Sequence, residues 1–586
     1  MLLERLDLLS HFWRSTDVGR HSHHIVRGSV AFALLADPSF LSRWRTLHSC
    51  CPHATAFQAP GFVRTWYETY QDVWEPVIVQ SQNAWGDLNG LWLLAYQPAT
   101  HVLVHAGAHQ AEYHAWLALP GEDTAFLAGA WAELVRNLPF PKLSFKYLPA
   151  TALAETLQTA LGTGGKVIVR RHHRPLLRLD PGDIKASFAK KSNRSRINRL
   201  KKLGKVEFRR LTDPAELEKV FDELIDFYDF RQDAVHQCAP FRIDPRKRRF
   251  HSDLFSVAGD NETYVTVTLL DERPIAGFWG TASGKTVHVG MLIHSPFLAE
   301  HSPGKLHLMQ LSEYLLQEGK ELLDLTPGGA WKERFANADD EVAEAVLYAS
   351  PWAHRWADTL ERLLKWGRRC AGLGGLTPAK VQSALAAARM AAPSAMIRRM
   401  GEWASVQREF RVYRGDRSLA EQYRRDERVR CNSLADLLAF KPGESGRNRE
   451  VFLSSALARL EQGESAYFVS QEGRVAHHGW MAPRSECHMP EVGQSMAFPP
   501  GSVSFYDFYS APEFRGQGLC RAIIGHMLQA AFSDLATRYA YLSVPSGNPA
   551  FRHVIETMGF EYQGSFCLQR RFGVEKKWTN AMEQPD

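Results

Sequence analysis

Residues 503–520 read VSFYDFYSAPEFRGQGLC. Aromatic and branched residues alternating with Ser favour a strand that runs to about Ser510. A turn containing Pro512 follows, and Arg515-Gly516-Gln517-Gly518 then opens a long apolar helix at Leu519. The first backbone N–H groups of a helix lack internal partners, and the helix dipole adds positive potential there. Gly516 and Gly518 let the backbone come close to a bulky anion. A strand delivering such a loop to a helix start suits the pyrophosphate of a nucleotide-like cofactor.

The pattern resembles the acyl-CoA loop of the GNAT superfamily of N-acetyltransferases, Arg/Gln-x-x-Gly-x-Gly/Ala. Arg515, Gly516, Gln517, Gly518 and Leu519 stand as in that family, and Cys520 replaces its last small residue. Downstream, Tyr541-Leu542-Ser543-Val544 resembles the family's next strand, and Asn548 with Met558-Gly559-Phe560 its Asn…Gly-Phe segment. The resemblance implies acetyl-CoA or another acyl-CoA as co-substrate. It would be held by Phe508, Tyr509, Ser510, Arg515, Gly516, Gln517, Gly518, Leu519, Cys520 and Asn548. Where the family often carries a Tyr general acid, this chain has Ile555. A base must deprotonate the acceptor amine. Asp507, on the strand before the loop, is the candidate, with Tyr506 and Tyr509 as further ones.

A second copy of the same order lies upstream. Three strands are expected over 262–295, with turns at Asp271-Glu272-Arg273 and Ser283-Gly284-Lys285. Ser302-Pro303-Gly304-Lys305 then opens a helix, with Pro in its first turn. A strand ending at Asp324 leads to PGGAWKERF (327–335). Together with Phe188-Ala189-Lys190-Lys191, Val206-Glu207-Phe208-Arg209 and Pro274-Ile275-Ala276-Gly277, these residues resemble CelD/BcsL-type acetyltransferases of cellulose and exopolysaccharide biosynthesis. That resemblance spans about 60–345 and implies two GNAT-like halves, as in FemA/FemX transferases. Ser302, Pro303, Gly304 and Lys305 become a second candidate cofactor loop. Lys332 and Arg334 become candidates for an anionic substrate group or the cofactor phosphates. Asp324 is expected to orient the acceptor amine or act as base.

The 586 residues, 45% hydrophobic and 23% charged, suit a globular chain of three or four domains. The expected class is α/β (α+β), with tandem GNAT-like domains, mixed sheets flanked by helices, and a helical connector. The expected boundaries are a helical leader (1–55), a first and structural half (56–180), a second half with the Ser-Pro-Gly loop (181–348), a basic connector (349–425) and a C-terminal GNAT domain (426–586). His21, His23 and His24 have no Cys or carboxylate suitably placed, so a solvated loop is expected rather than a metal site. The 8 Cys lack metal-ligand spacing and do not form a disulfide framework. No metal is expected. No apolar run long enough for a membrane span and no secretory leader pattern occur, so a cytoplasmic location is expected. A helix over 352–364 could pack between domains or lie on a membrane surface.

The net charge of +6 is concentrated on 183–203, DIKASFAKKSNRSRINRLKKL. A solvated helix, a positive lid over a nucleotide-linked ligand, and a stripe for RNA phosphates all fit this segment. Three readings follow. The first is an acyl-CoA-dependent N-acyltransferase acting on a small-molecule or sugar amine. The second is a FemA/FemX-like aminoacyl-tRNA-dependent transferase, the only reading that makes tRNA a partner. The third is a non-catalytic GNAT-fold scaffold, which Ile555 keeps open.

Overall fold

A computed structural model describes residues 22–350 and 405–580, except 84, 162–166, 258–261, 442–447, 484–485, 490–491 and 572–573, and also Arg355 and Thr359. Most of the expected basic connector lies outside the described residues. The chain forms two compact units. One comprises Met1–Val220, Asp244–Ile293 and Gly304–Trp366, and the other Phe221–Ile243, His294–Pro303 and Gly367–Asp586.

The first unit holds two sheets. Its smaller, antiparallel sheet orders β1 (Ser22–Arg27), β2 (Glu75–Gln82), β3 (Leu88–Gln97) and β4 (Val102–His105), with β5 (Leu117–Ala118) on β3. Residues 1–21 of the expected helical leader, His21 among them, lie outside the described residues, and its part from Ser22 onward belongs to this layer. β1 pairs with β2, and the helix Pro38–Cys50 buries Phe40, Leu41, Trp44 and Leu47. His23 and His24 lie on β1 rather than in a loop, and the His23 ring stacks on Phe126 at 5.9 Å. Pairing with β2 along its whole length outweighed the polarity of SHHIVR.

The larger sheet has eight strands in the order β6-β13-β7-β12-β11-β10-β9-β8. These are β6 (Lys142–Leu148), β7 (Val167–Arg178), β8 (Val206–Leu211), β9 (Glu262–Leu270), β10 (Arg273–Ser283), β11 (Thr286–His294), β12 (Leu322–Asp324) and β13 (Ala338–Tyr348). The boundary expected at 180/181 cuts this sheet, because β6 and β7 both pair with β13. β11 and β12 run parallel, and the helix Pro303–Gln317 is the crossover between them that parallel neighbours require.

The second unit has its own eight-stranded sheet, in the order β15-β16-β17-β20-β21-β14-β22-β23. Its strands are β14 (Ser405–Gly415), β15 (Arg430–Cys431), β16 (Ser465–Gln471), β17 (Arg474–Pro483), β20 (Ser502–Ser510), β21 (Tyr539–Pro545), β22 (Glu561–Arg571) and β23 (Val574–Asn580). A hairpin of β18 (Glu486–Met489) and β19 (Gln494–Ala497) accompanies it. β14 corrects the expected helical connector, since residues 405–415 form a strand between β21 and β22. It buries both Val412 and Tyr413, while the Ala-rich stretch upstream reads as helix. β20 and β21 are parallel, joined through the helix Leu519–Ala531. Leu519, Ile523, Ile524, Met527, Leu528 and Ala531 fall on the one face of that helix that is buried. Each large side chain among them contributes about 1.5–3 kcal/mol of burial.

The expected mixed α/β class, with mixed sheets flanked by helices, holds. Each large sheet contains the same strand–loop–helix–parallel strand step.

Candidate functional site

In the second unit β20 and β21 pair only over Ser502–Phe505 and Tyr539–Leu542, although both strands run on. Opposite β17 the register slips, so that Asp507 and Phe508 face the single residue Gly479. This bulge holds Asp507 at φ +52°, a left-handed conformation costing a non-glycine residue about 1–2 kcal/mol. A Cβ on Gly479 would lie 2.5 Å from the Phe508 ring, so glycine is required there. Phe508 packs on Phe551, 5.2 Å between centroids, at the start of the helix Pro549–Met558 that follows β21.

The loop beyond β20 is open. Arg515, Gly516, Gln517 and Gly518 are exposed, and an added Cβ on either glycine would meet no atom within 4 Å. Their positive φ values, +76° and +72°, are what demand glycine. The helix beginning at Leu519 has Gly518 at its N-cap and no side-chain cap, so its first N–H groups face outward. Cys520 is half-buried, and burial pushes its thiol up to about 12, which makes it a packing residue rather than a nucleophile. Asn548 accepts a hydrogen bond from Phe551 N at 3.1 Å and thereby caps the following helix. Ile555 is fully buried in the core, so no group at that position can donate a proton.

Sequence reasoning missed the partners of Asp507. Arg459 Nη1 donates to its carboxylate at 2.6 Å, and the guanidinium stacks over Trp480 and Tyr506 at 4.9 and 5.0 Å. Beside this pair, the Tyr506 hydroxyl donates to the buried Glu464. Ser510 shares a 2.6 Å hydrogen bond with His477, whose pKa burial lowers to about 3, with His478 adding to the shift. Tyr509 packs against the rings of His478 and Phe440. Arg459 and Glu464 come from a helix and its exit turn, where nothing in the sequence marks them.

The first unit places its candidates differently. Asp324, at the end of β12, is 1% exposed. Its Oδ2 accepts from Tyr113 at 2.6 Å, His288 Nδ1 at 3.1 Å and Arg174 at 3.3 Å, while Oδ1 accepts from Thr326 N at 2.8 Å. Burial pushes its pKa up. The His288 hydrogen bond, then Arg174 and Tyr113, outweigh that and hold the carboxyl below its ordinary value. Lys332 reaches back to Thr326 Oγ1 at 2.7 Å and to the carbonyls of Thr326 and Pro327, so it braces the loop at the left-handed Thr326. That use of its donors leaves it poorly placed to hold a substrate anion, whereas Arg334 is exposed.

At the second glycine loop Ser302 is left-handed, and Pro303 and Gly304 are buried, unlike the open loop at 515–518. Lys305 is half-buried. Burial lowers its pKa, and the charges of Arg196 and Lys190 lower it further, so three cations meet near the start of that helix. The helix Lys191–Lys201 buries Asn193 and Leu200, and its Lys and Arg residues form no ion pair among the described residues.

Two segments of the chain match models of known families. Residues 187–336 match the model described as "Acetyltransferase (GNAT) domain", and 434–560 that of the "Acetyltransferase (GNAT) family". No curated protein matches the chain. Among solved structures, FemX is 11% identical, covering 52% of this chain and 95% of its own, with a TM-score of 0.35. The L-PGS from Bacillus licheniformis is 11% identical over 56% of this chain and 96% of its own, TM-score 0.34. A tandem GNAT protein from the clavulanic acid biosynthesis pathway is 13% identical over 65% of this chain and 100% of its own, TM-score 0.20. Two separate segments of the chain, 187–336 and 434–560, thus match GNAT domain models. Among the described residues no cluster of metal-ligating side chains occurs, and no helix is long and apolar enough to cross a membrane.

Proposed function

We propose that the protein is an acyl-CoA-dependent N-acyltransferase whose C-terminal domain binds acetyl-CoA or a related thioester. One observation carries this reading: β20 leaves its parallel partner beyond Phe505 and delivers an open loop, left-handed at Gly516 and Gly518, to an uncapped helix start. The cofactor pyrophosphate would sit on Arg515–Gly518 and the pantetheine arm between the diverging strands. Backbone N–H groups of β20 freed by the divergence would face the thioester oxygen, where negative charge develops during attack. The amine nitrogen attacks the carbonyl carbon, the C–S bond breaks, and the amine's proton passes to Asp507. With Ile555 in the core, the leaving thiolate takes its proton from another group or from water. The acceptor fits an amine on a sugar or small molecule. Its place in cellulose or exopolysaccharide synthesis rests on the CelD/BcsL-type resemblance.

Calorimetric titration with acetyl-CoA tests this on the full chain. Gly518→Glu places bulk and negative charge in the C-terminal loop and should abolish one binding event. Gly304→Glu tests the central loop, whose glycine is buried, and is read only if the variant keeps the wild-type thermal midpoint. Absence of binding to the wild-type protein would overturn the proposal.

The cations at Lys190, Arg196 and Lys305, which form no ion pair among the described residues, favour one further reading for the central domain, in which the donor is a polyanion such as aminoacyl-tRNA. That reading expects tRNA binding which weakens steeply with added salt and survives Gly518→Glu.

A further inference from the structure

Beside Asp324 the first unit assembles a group that the cofactor loops do not explain. His288 lies on β11 at the last step where that strand pairs with β12, directly opposite Asp324. The Asp324 carboxylate accepts from Nδ1, which fixes the imidazole tautomer and leaves Nε2 as an acceptor. Nε2 lies 3.3 Å from Ser283 Oγ, at the end of β10. Ser283 Oγ in turn accepts from Ala56 N at 2.6 Å, which occupies one lone pair and turns the hydroxyl proton toward His288. The imidazole is held between the rings of Phe57 and Tyr113, at 5.7 and 5.2 Å. Burial grades outward from Asp324 at 1% exposed to His288 at 6%, and Ser283 is only half-buried. A buried carboxylate orienting a histidine toward a more accessible hydroxyl is the arrangement that activates a serine nucleophile, and such contacts are commonly somewhat long without substrate.

We propose that Ser283, His288 and Asp324 form a nucleophilic triad through which the central domain accepts an acyl group from a thioester or other activated ester. Ser283 Oγ forms the bond to the acyl carbon while its proton moves to His288 Nε2. The C–S bond breaks, and the departing thiolate takes that proton. In the second half the acceptor nitrogen attacks the acyl-serine, the C–O bond breaks, and the nitrogen's proton returns through His288 to Oγ. Asp324 stays ionised throughout and positions the imidazole. The proposal draws its donor class from the acyl-transfer reading above, but it does not need the loop at Arg515–Gly518.

The test treats the full chain separately with acetyl-CoA and with p-nitrophenyl acetate, quenches in acid, and maps acetylated peptides by mass spectrometry. The expected result is one acetyl group per chain on Ser283, with a matching burst of thiol or nitrophenolate. Ser283→Ala should abolish it, and Ser283→Cys should keep acylation as a thioester. His288→Gln should slow acylation by about 10²-fold or more. Wild-type protein left unmodified at Ser283 by both reagents would overturn the triad, as would labelling unchanged in His288→Gln. If acetyl-CoA binds by calorimetry and neither reagent labels Ser283, the triad falls and the acyl-CoA reading stands. If the nitrophenyl ester labels Ser283 while acetyl-CoA does not bind, the triad stands and the acyl-CoA reading falls.

Discussion

Asp507 combines a strained backbone with a half-buried ion pair, and the two can be separated by substitution. Asn tolerates left-handed φ better than Ala does, so Asp507→Asn should stay folded while turnover falls by about 10²-fold or more. Asp507→Ala should cost a further ~1 kcal/mol or more in urea unfolding through its φ. Removing its guanidinium partner in Arg459→Leu should lower kcat/KM by about 10-fold or more, because the carboxylate loses the group that fixes its position. An unchanged kcat/KM would mean that Asp507 is not the base. Little at this scale was legible beforehand. Asp507, Asp324 and the loop glycines stand out as residue types at strand ends. Arg459, Glu464, His288 and Tyr113 acquire meaning only through partners far away in sequence, such as the 2.6 Å bond from Tyr113 to Asp324.

At the scale of elements the bulge, the glycine loop and the following helix act together. Gly479→Ala must displace the Phe508 ring, so it should weaken acetyl-CoA binding more than it lowers the thermal midpoint. Gly518→Ala meets no neighbouring atom, and its cost of about 1 kcal/mol should come from φ alone. Ile524→Ala, on the buried face of the helix Leu519–Ala531, should cost about 2–5 kcal/mol in chemical unfolding, with acetyl-CoA affinity retained in the folded fraction. Most elements could be read from local pattern. The turns at Asp271-Glu272 and Glu472-Gly473 have the positive φ values that two-residue hairpins demand. β14 escaped because a strand inside a sheet is stabilised mainly by its neighbours, here β21 and β22, rather than by its own sequence.

For the whole molecule, buried histidines set the response to acid. His114, His307 and His477 have pKa values lowered to about 4, 3 and 3, burial being the largest cause in each. His307 is held by the hydroxyls of Thr266 and Thr268 at 3.0 and 2.8 Å. The folded state favours neutral imidazole, so this stability is present above the unfolded value of about 6.5 and is lost as pH falls below it. Each should cost about 1–2 kcal/mol by pH 5. Thermal midpoints should therefore fall between pH 7 and pH 5, and replacing His307 with Gln should flatten that slope. The sequence correctly implied repeated α/β layers, but not how the chain is shared between units. The Phe221–Ile243 and His294–Pro303 segments belong with the C-terminal domain although they lie inside the first one. During synthesis these segments leave the ribosome long before residue 367. Phe221, Phe227, Phe230 and Phe241, all buried in the finished protein, must then wait without the rest of their unit. A chain stopped at residue 366 should aggregate or bind chaperones, while the full chain released under the same conditions should not. The order in which the polypeptide emerges thus leaves these early segments dependent on residues made more than a hundred positions later.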